Sequence, residues 1–162
     1  MPPRIFTVSE ANALLPRMRE VLAGLKEIRT GIREAGEQLQ ILDALWGDAV
    51  RRPGNPDHDE FLVHRKRIRT LVDELEETVQ DEILDRGVRF PVGALEEGLL
   101  DFPTSYQGRW VYLCWRLGEP EIQQWHEIHA GFRGRRELTE EQARVMGVVD
   151  GPEDLPPRPP DA

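Results

Sequence analysis

The sequence predicts an α+β protein: a long antiparallel helical hairpin of coiled-coil character, then a small antiparallel β-sheet, a short C-terminal helix and a disordered tail. Two changes of pattern predict it. Up to Gly87 the apolar residues recur at alternating spacings of four and three, the mark of a helix packed along a narrow seam. Beyond Gly87 the period falls to two in short pieces, as in strands. Trp110, Trp115 and Trp125, three of the chain's 4 tryptophans, lie in this second region. The boundaries expected are a helical arm over 1–87, a small sheet over 88–138, and a short helix with an acidic, proline-rich tail over 139–162.

In the arm, Thr7 and Glu10 form a capping-box pattern that starts a helix near Ser9. Pro16 removes one hydrogen bond in an early turn. The seam then reads Leu14, Met18, Val21, Leu25, Ile28, Ile32, Ala35, Leu39, Leu42, Trp46 and Ala49. Two prolines, a glycine and an asparagine between Arg51 and Asp57 force a turn. Phe61, Ile68, Val72, Leu75 and Val79 continue the seam on a second helix, with Arg65 interrupting it and Gly87 capping its end. At ~1.5 Å per residue such helices are roughly 40–60 Å long. A two-helix hairpin leaves much of its apolar side wet, so homodimerisation into a four-helix arrangement is expected.

In the second region Leu99–Pro103 reads as a strand that Pro103 stops. In Arg109–Leu117 both alternating faces are largely apolar, which marks a central, covered strand. Gly98 and Gly108 punctuate the turns. Residues 118–129 admit two readings: a helix with Pro120 in its first turn, or a hairpin turn leading to a strand with Ile122, Gln124 and His126 on one face. The hairpin is the preferred reading. Thr139 with Gln142 starts a short helix ending at Gly147, and the tail from Asp150 has the composition of a disordered segment.

Composition narrows function. A net charge of −9 disfavours indiscriminate binding to nucleic acid or anionic membranes. Arg51, Arg52, Arg65, Lys66, Arg67 and Arg69 cluster, but Asp73, Glu74, Glu76, Glu77, Asp81, Glu82 and Asp85 follow at once. This bipolar rod is the pattern of a solvated helix that attracts a partner arm. No apolar run reaches the ~18–20 residues a membrane span needs, and the opening residues lack a secretory apolar stretch, so a cytoplasmic location without membrane attachment is expected. The single cysteine, Cys114, excludes an internal disulfide and reads as a buried inert thiol. No serine-nucleophile elbow, phosphate loop or dinucleotide fingerprint occurs.

The run Gly-Leu-Leu-Asp-Phe-Pro at 98–103, then Gly108-Arg109, Leu113-Cys114-Trp115, Gly118-Glu119, Ile122, Trp125-His126, Gly131-Phe132 and Gly134-Arg135, resembles the prokaryotic domain-of-unknown-function family 2203. The opening Phe-Thr-Val-Ser-Glu-Ala-Asn-Ala-Leu-Leu-Pro at 6–16 is similar to that family's start. The resemblance covers residues 5 to 136 and implies no particular activity. It does imply a polar site of Asp101, Arg109, Glu119, His126 and Arg135, which match family-typical positions, whereas His129 and Glu137 fall where the family varies.

The plain reading of His126 is a histidine hydrogen-bonded beneath a tryptophan at a sheet edge, and two chemistries compete with it for this region. His126, Glu127 and His129 are candidate ligands for a divalent metal such as zinc or manganese, with Asp101 or Glu119 completing the set. Their spacing is not that of the His-Glu-x-x-His protease helix. Histidines three apart converge on a helix and diverge on a strand followed by a loop, so local structure decides. A small anionic ligand is the other: Arg133, Arg135 and Arg136 stand beside glycines, with Arg109 and Arg116 in reach, and guanidinium groups bind phosphate or carboxylate bidentately. The leading expectation is a cytoplasmic binding or assembly protein, dimeric through its arm, with a metal-dependent enzyme using His126 as the rival.

Overall fold

The structure is a computed structural model that describes residues 3–160. Four α-helices and four strands follow in the order α1 (Val8–Trp46), α2 (His58–Glu82), α3 (Ala94–Glu97), β1 (Leu99–Tyr106), β2 (Arg109–Arg116), β3 (Gln124–Glu127), β4 (Arg136–Glu137) and α4 (Glu140–Val145), joined by short 3-10 turns. The predicted fold class holds. The chain forms two compact units, one of residues up to 22 with those from 81 onward, the other of residues 23–80. The start of α1 therefore belongs with the sheet. Among the described residues no helix is long and apolar enough to cross a membrane.

The capping box is present at the start of α1: Thr7 Oγ1 accepts from the Glu10 amide at 3.1 Å, and Glu10 Oε2 accepts from the Thr7 amide at 3.2 Å. In this first unit the buried positions of α1 are Ala11, Leu15, Met18, Val21 and Leu22. Met18 and Val21 of the expected seam are buried and Leu14 is only half-buried, while Ala11, Leu15 and Leu22 widen the stripe, because the partner surface is a broad sheet rather than a helix. Phe6 meets Phe102 edge-on at 5.3 Å, and Asn12 Oδ1 accepts from the Ile122 amide at 2.7 Å.

Within residues 23–80 the seam is sparser. Leu25, Ala35 and Leu42 are buried. Gly31 lies against Leu71, where an added Cβ would come within 2.9 Å of its methyl, so the glycine sets the close approach of the two helices. No residue of α2 is fully buried. Leu45, Leu62 and Val63 are exposed at 67%, 44% and 62%.

The sheet is antiparallel with strand order β1-β2-β3-β4. As expected, Arg109–Arg116 is a central strand, and 124–127 is a strand rather than a helix. Gln107 and Gly108, both at positive φ (50° and 73°), make the tight hairpin between β1 and β2. Pro103 does not end its strand: β1 runs to Tyr106. Because β1 is an edge, the nitrogen of Pro103 faces away from β2, and its carbonyl, on that same side, accepts from the Phe6 amide at 2.8 Å. At the far end the predicted Thr139/Gln142 capping box starts α4.

The tail corrects the expectation of disorder from Asp150. Ser105 Oγ donates to the Asp150 carbonyl at 2.9 Å, the Gly108 amide donates to Asp150 Oδ2 at 3.0 Å, and Trp110 Nε1 donates to the Pro156 carbonyl at 2.8 Å. A tail poor in apolar residues stays ordered here because the sheet supplies the apolar partner: Trp110 is only 4% exposed, and its buried N–H requires an acceptor.

Where α2 ends, Glu82 accepts from Arg17 (2.7 Å) and Arg86 (3.0 Å). The hydrogen bonds from Arg17 and then Arg86 hold its carboxyl at about 2, against an ordinary 4.5. A depressed carboxylate contributes stability above its unfolded value and loses it as pH falls toward the folded one. Glu82→Gln is thus expected to lower the urea midpoint at neutral pH, with the gap to wild type closing between about pH 4.5 and pH 2. A gap that stays constant over that range would show that the pair contributes nothing through charge.

Candidate functional site

The register of β1, β2 and β3 assembles the site. Asp101 stands opposite Cys114, and Tyr112 opposite His126. Side chains two apart share a face, so Asp101, Cys114 and His126 lie on one side of the sheet, Asp101 directly across from Cys114 and His126 diagonal to it. The backbone N–H and C=O of Asp101 are both committed to Arg89 on the outer side, at 3.2 and 2.8 Å. Its pairing with Cys114 is therefore of the non-hydrogen-bonded kind, in which side chains approach most closely.

Asp101 and His126 are 2% and 1% exposed. His126 Nε2 meets Asp101 Oδ1 at 3.1 Å, and Arg89 Nη1 donates to Asp101 Oδ2 at 2.7 Å. The other ring nitrogen, Nδ1, lies 2.8 Å from the Glu127 carbonyl. A carbonyl only accepts, so Nδ1 carries a proton, and a second proton on Nε2 completes the bond to the carboxylate. Burial lowers the His126 pKa, but the hydrogen bond and charge of Asp101, with the Glu127 carbonyl, outweigh it and leave the imidazole above its ordinary value. Burial, then the Asp101 charge, pushes the Cys114 thiol up to about 12, against an opposing pull from Arg135. The thiol is accordingly protonated and unreactive as it stands. Asp101, Cys114 and His126 together form a grouping of potential metal-ligand atoms, all within 4.8 Å of one another.

A cavity of about 200 Å³ opens over these groups. Arg89, Asp101, Cys114 and His126 line it, with Val92 and Phe132 among the apolar groups. Val92 and Phe132 are 94% and 39% exposed, so they form a rim while the charges lie at the floor.

The other residues that stand out in the sequence fall into separate pairs. Arg135 Nη2 donates to Glu119 Oε1 at 2.6 Å and to the Cys114 carbonyl at 3.2 Å, which places this pair beside the cluster. Its guanidinium lies 5.1 Å from the Phe132 ring. Arg109 grips Glu127 through two bonds, at 3.1 and 2.5 Å. That pair is elsewhere: Glu127 follows His126 directly in β3 and points to the opposite face. His129 is exposed in the turn after β3. The structure therefore does not bring His126, Glu127 and His129 together.

Two participants carry little signal in the sequence. Cys114 looks there like an inert core residue, and Arg89 sits in Val88-Arg89-Phe90-Pro91, where one arginine in a short extended piece is its only mark.

Fold and site define an α+β protein whose tryptophan-rich sheet carries a buried guanidinium–carboxylate–imidazole cluster beneath a small cavity. The family described as "Uncharacterized conserved protein (DUF2203)" matches residues 4–138, and the chain belongs to that family. No curated protein and no solved structure matches it.

Proposed function

We propose that this chain is a cytoplasmic binding and assembly protein that dimerises through its helices and takes a small anionic molecule into the cavity on its sheet. The observation that carries the reading is the placing of two almost fully buried charged side chains, Asp101 and His126, at the floor of an open cavity rather than inside a closed core. An ion cluster kept only for stability gains nothing from a cavity over it, since burying charge is costly. The anionic preference follows from the balance of charge: Arg89 and the doubly protonated imidazole outnumber the one carboxylate. At about 200 Å³ the space suits a molecule smaller than a drug-sized ligand.

Dimerisation is supported by α2, which buries no residue, and by its charge order. Lys66, Arg67 and Arg69 precede Val72, and Glu74, Glu76 and Glu77 follow it. Two copies of α2 crossing antiparallel near Val72 set each basic stretch against the other copy's acidic one, the self-complementary arrangement a two-fold axis requires.

Sedimentation of the purified protein over a range of concentrations, followed by calorimetric titration with phosphate, acetate and small dicarboxylates, tests both halves. A dimer that binds at least one of these anions, and binds it more weakly as Arg89→Ala, is the expected result. A monomer at every concentration overturns the assembly half, and the absence of heat with every anion overturns the binding half.

One observation favours a second reading, a metal-dependent enzyme. Asp101, Cys114 and His126 offer three ligand atoms in one place, and a metal held there would activate a water entering from the cavity.

A further inference from the structure

We propose that Asp101, Cys114 and His126 bind one divalent transition-metal ion through Oδ1, Sγ and Nε2, with zinc the ion that this donor set suits best. The inference deepens the second reading above and rests on it for the role of the site. It concerns a ligand set that no local sequence motif displays, because its members come from three strands.

The chemistry of the donors selects the metal. A thiolate, an imidazole and a carboxylate suit zinc or cobalt(II), while magnesium and calcium take oxygen alone, and sulfur disfavours manganese. The ligands are also oriented from outside. The Glu127 carbonyl holds Nδ1–H of His126, which aims Nε2 at the cluster. Arg89 holds Oδ2 of Asp101, which presents Oδ1. Outer partners of this kind fix the ligands of protein metal sites. The cavity lies over the same three residues and leaves a fourth position for water or substrate, as in catalytic zinc sites.

Spacing is close to what an ion needs. Bonds of ~2.3 Å to sulfur and ~2.0 Å to nitrogen at a tetrahedral angle put those two atoms about 3.5 Å apart. The three ligand atoms, now within 4.8 Å of one another, have to draw together by side-chain rotation as the ion binds.

Two guanidinium groups stand nearby, Arg89 on Asp101 and Arg135 beside Cys114, and a bare dication would be repelled. Exchange removes the objection. As the metal enters, the imidazolium gives up its Nε2 proton and the thiol its Sγ proton, both to solvent. Two positive charges arrive and two leave, so the net charge of the cluster is unchanged, and Arg89 keeps its carboxylate oxygen.

Cobalt(II) titration of the chelator-treated full chain tests the site. The expected result is saturation at one equivalent, with the near-ultraviolet charge-transfer band of a thiolate–cobalt bond, reversed by zinc. Cys114→Ser, which alters one atom and little volume, should abolish the band with the circular dichroism intact. Asp101→Asn should weaken cobalt binding by about tenfold or more. No band in the wild-type protein at saturating cobalt overturns the proposal without reference to any variant, and so does a band that survives Cys114→Ser. If small anions bind the metal-free cavity while cobalt does not bind, the metal site fails and the anion reading stands. If cobalt binds while no anion gives heat, the metal site stands and the anion reading fails.

Discussion

Asp101→Ala is expected to destabilise the sheet unit by about 3–5 kcal/mol, the range for removing one partner of a buried ion pair. The carboxylate is the shared counter-charge of His126 and Arg89, whose side chains are 1% and 16% exposed. Without it the almost fully buried His126 loses its charged partner and Arg89 loses one of its own, so the cost of burying their charge is less well offset. Asp101→Asn separates charge from shape. The amide keeps the volume and one acceptor for Arg89, so its loss should fall between those of wild type and alanine. Urea denaturation of the three proteins at neutral pH measures the order. A loss under about 1 kcal/mol for alanine would mean that the cluster is effectively solvated, which would remove the physical basis of the site.

Trp115→Ala should cost a similar amount, about 3–5 kcal/mol, for a different reason: the cavity left by a fully buried aromatic ring. Trp115 is 0% exposed. Its Nε1 donates to the Glu119 carbonyl at 2.9 Å, which ties the turn after β2 to the strand. That turn carries the Glu119 side chain that holds Arg135, so the loss should reach the edge of the candidate site. Trp115→Phe distinguishes the two contributions. It keeps most of the ring, and Arg19 Nη2, 3.4 Å from the same carbonyl, leaves that oxygen partly satisfied. A loss of about 1–2 kcal/mol is expected for phenylalanine. Equal losses for alanine and phenylalanine in thermal unfolding would place the contribution in the hydrogen bond and refute the packing argument.

The candidate site is legible in the sequence only in part. Asp101 and His126 stand out there, and they do meet, as do Glu119 and Arg135. Arg109 stands apart from both because it pairs with Glu127 on the other face of the sheet. Period two places Glu127 and His126 on opposite faces as soon as the segment is known to be a strand. The residues alone leave that open, since Pro120 fits the first turn of a helix as well as a hairpin turn. Cys114 is identifiable as buried, yet nothing near it in the chain shows that a carboxylate and an imidazole surround it.

By itself the sequence determined whatever depends on neighbours along the chain. The helix starts at Thr7 and Thr139 rest on side chains three residues away, and the covered central strand rests on alternation within a short run. The tertiary structure alone decided strand register, the widening of the early α1 seam against the sheet, the survival of β1 through Pro103, and the ordering of the tail over Trp110. Each is a relation between segments distant in sequence, fixed by which surface is left to cover and which hydrogen-bonding groups would otherwise be buried alone. The cluster of Arg89, Asp101, Cys114 and His126 belongs to this second kind, because one step of register would turn its members to different faces.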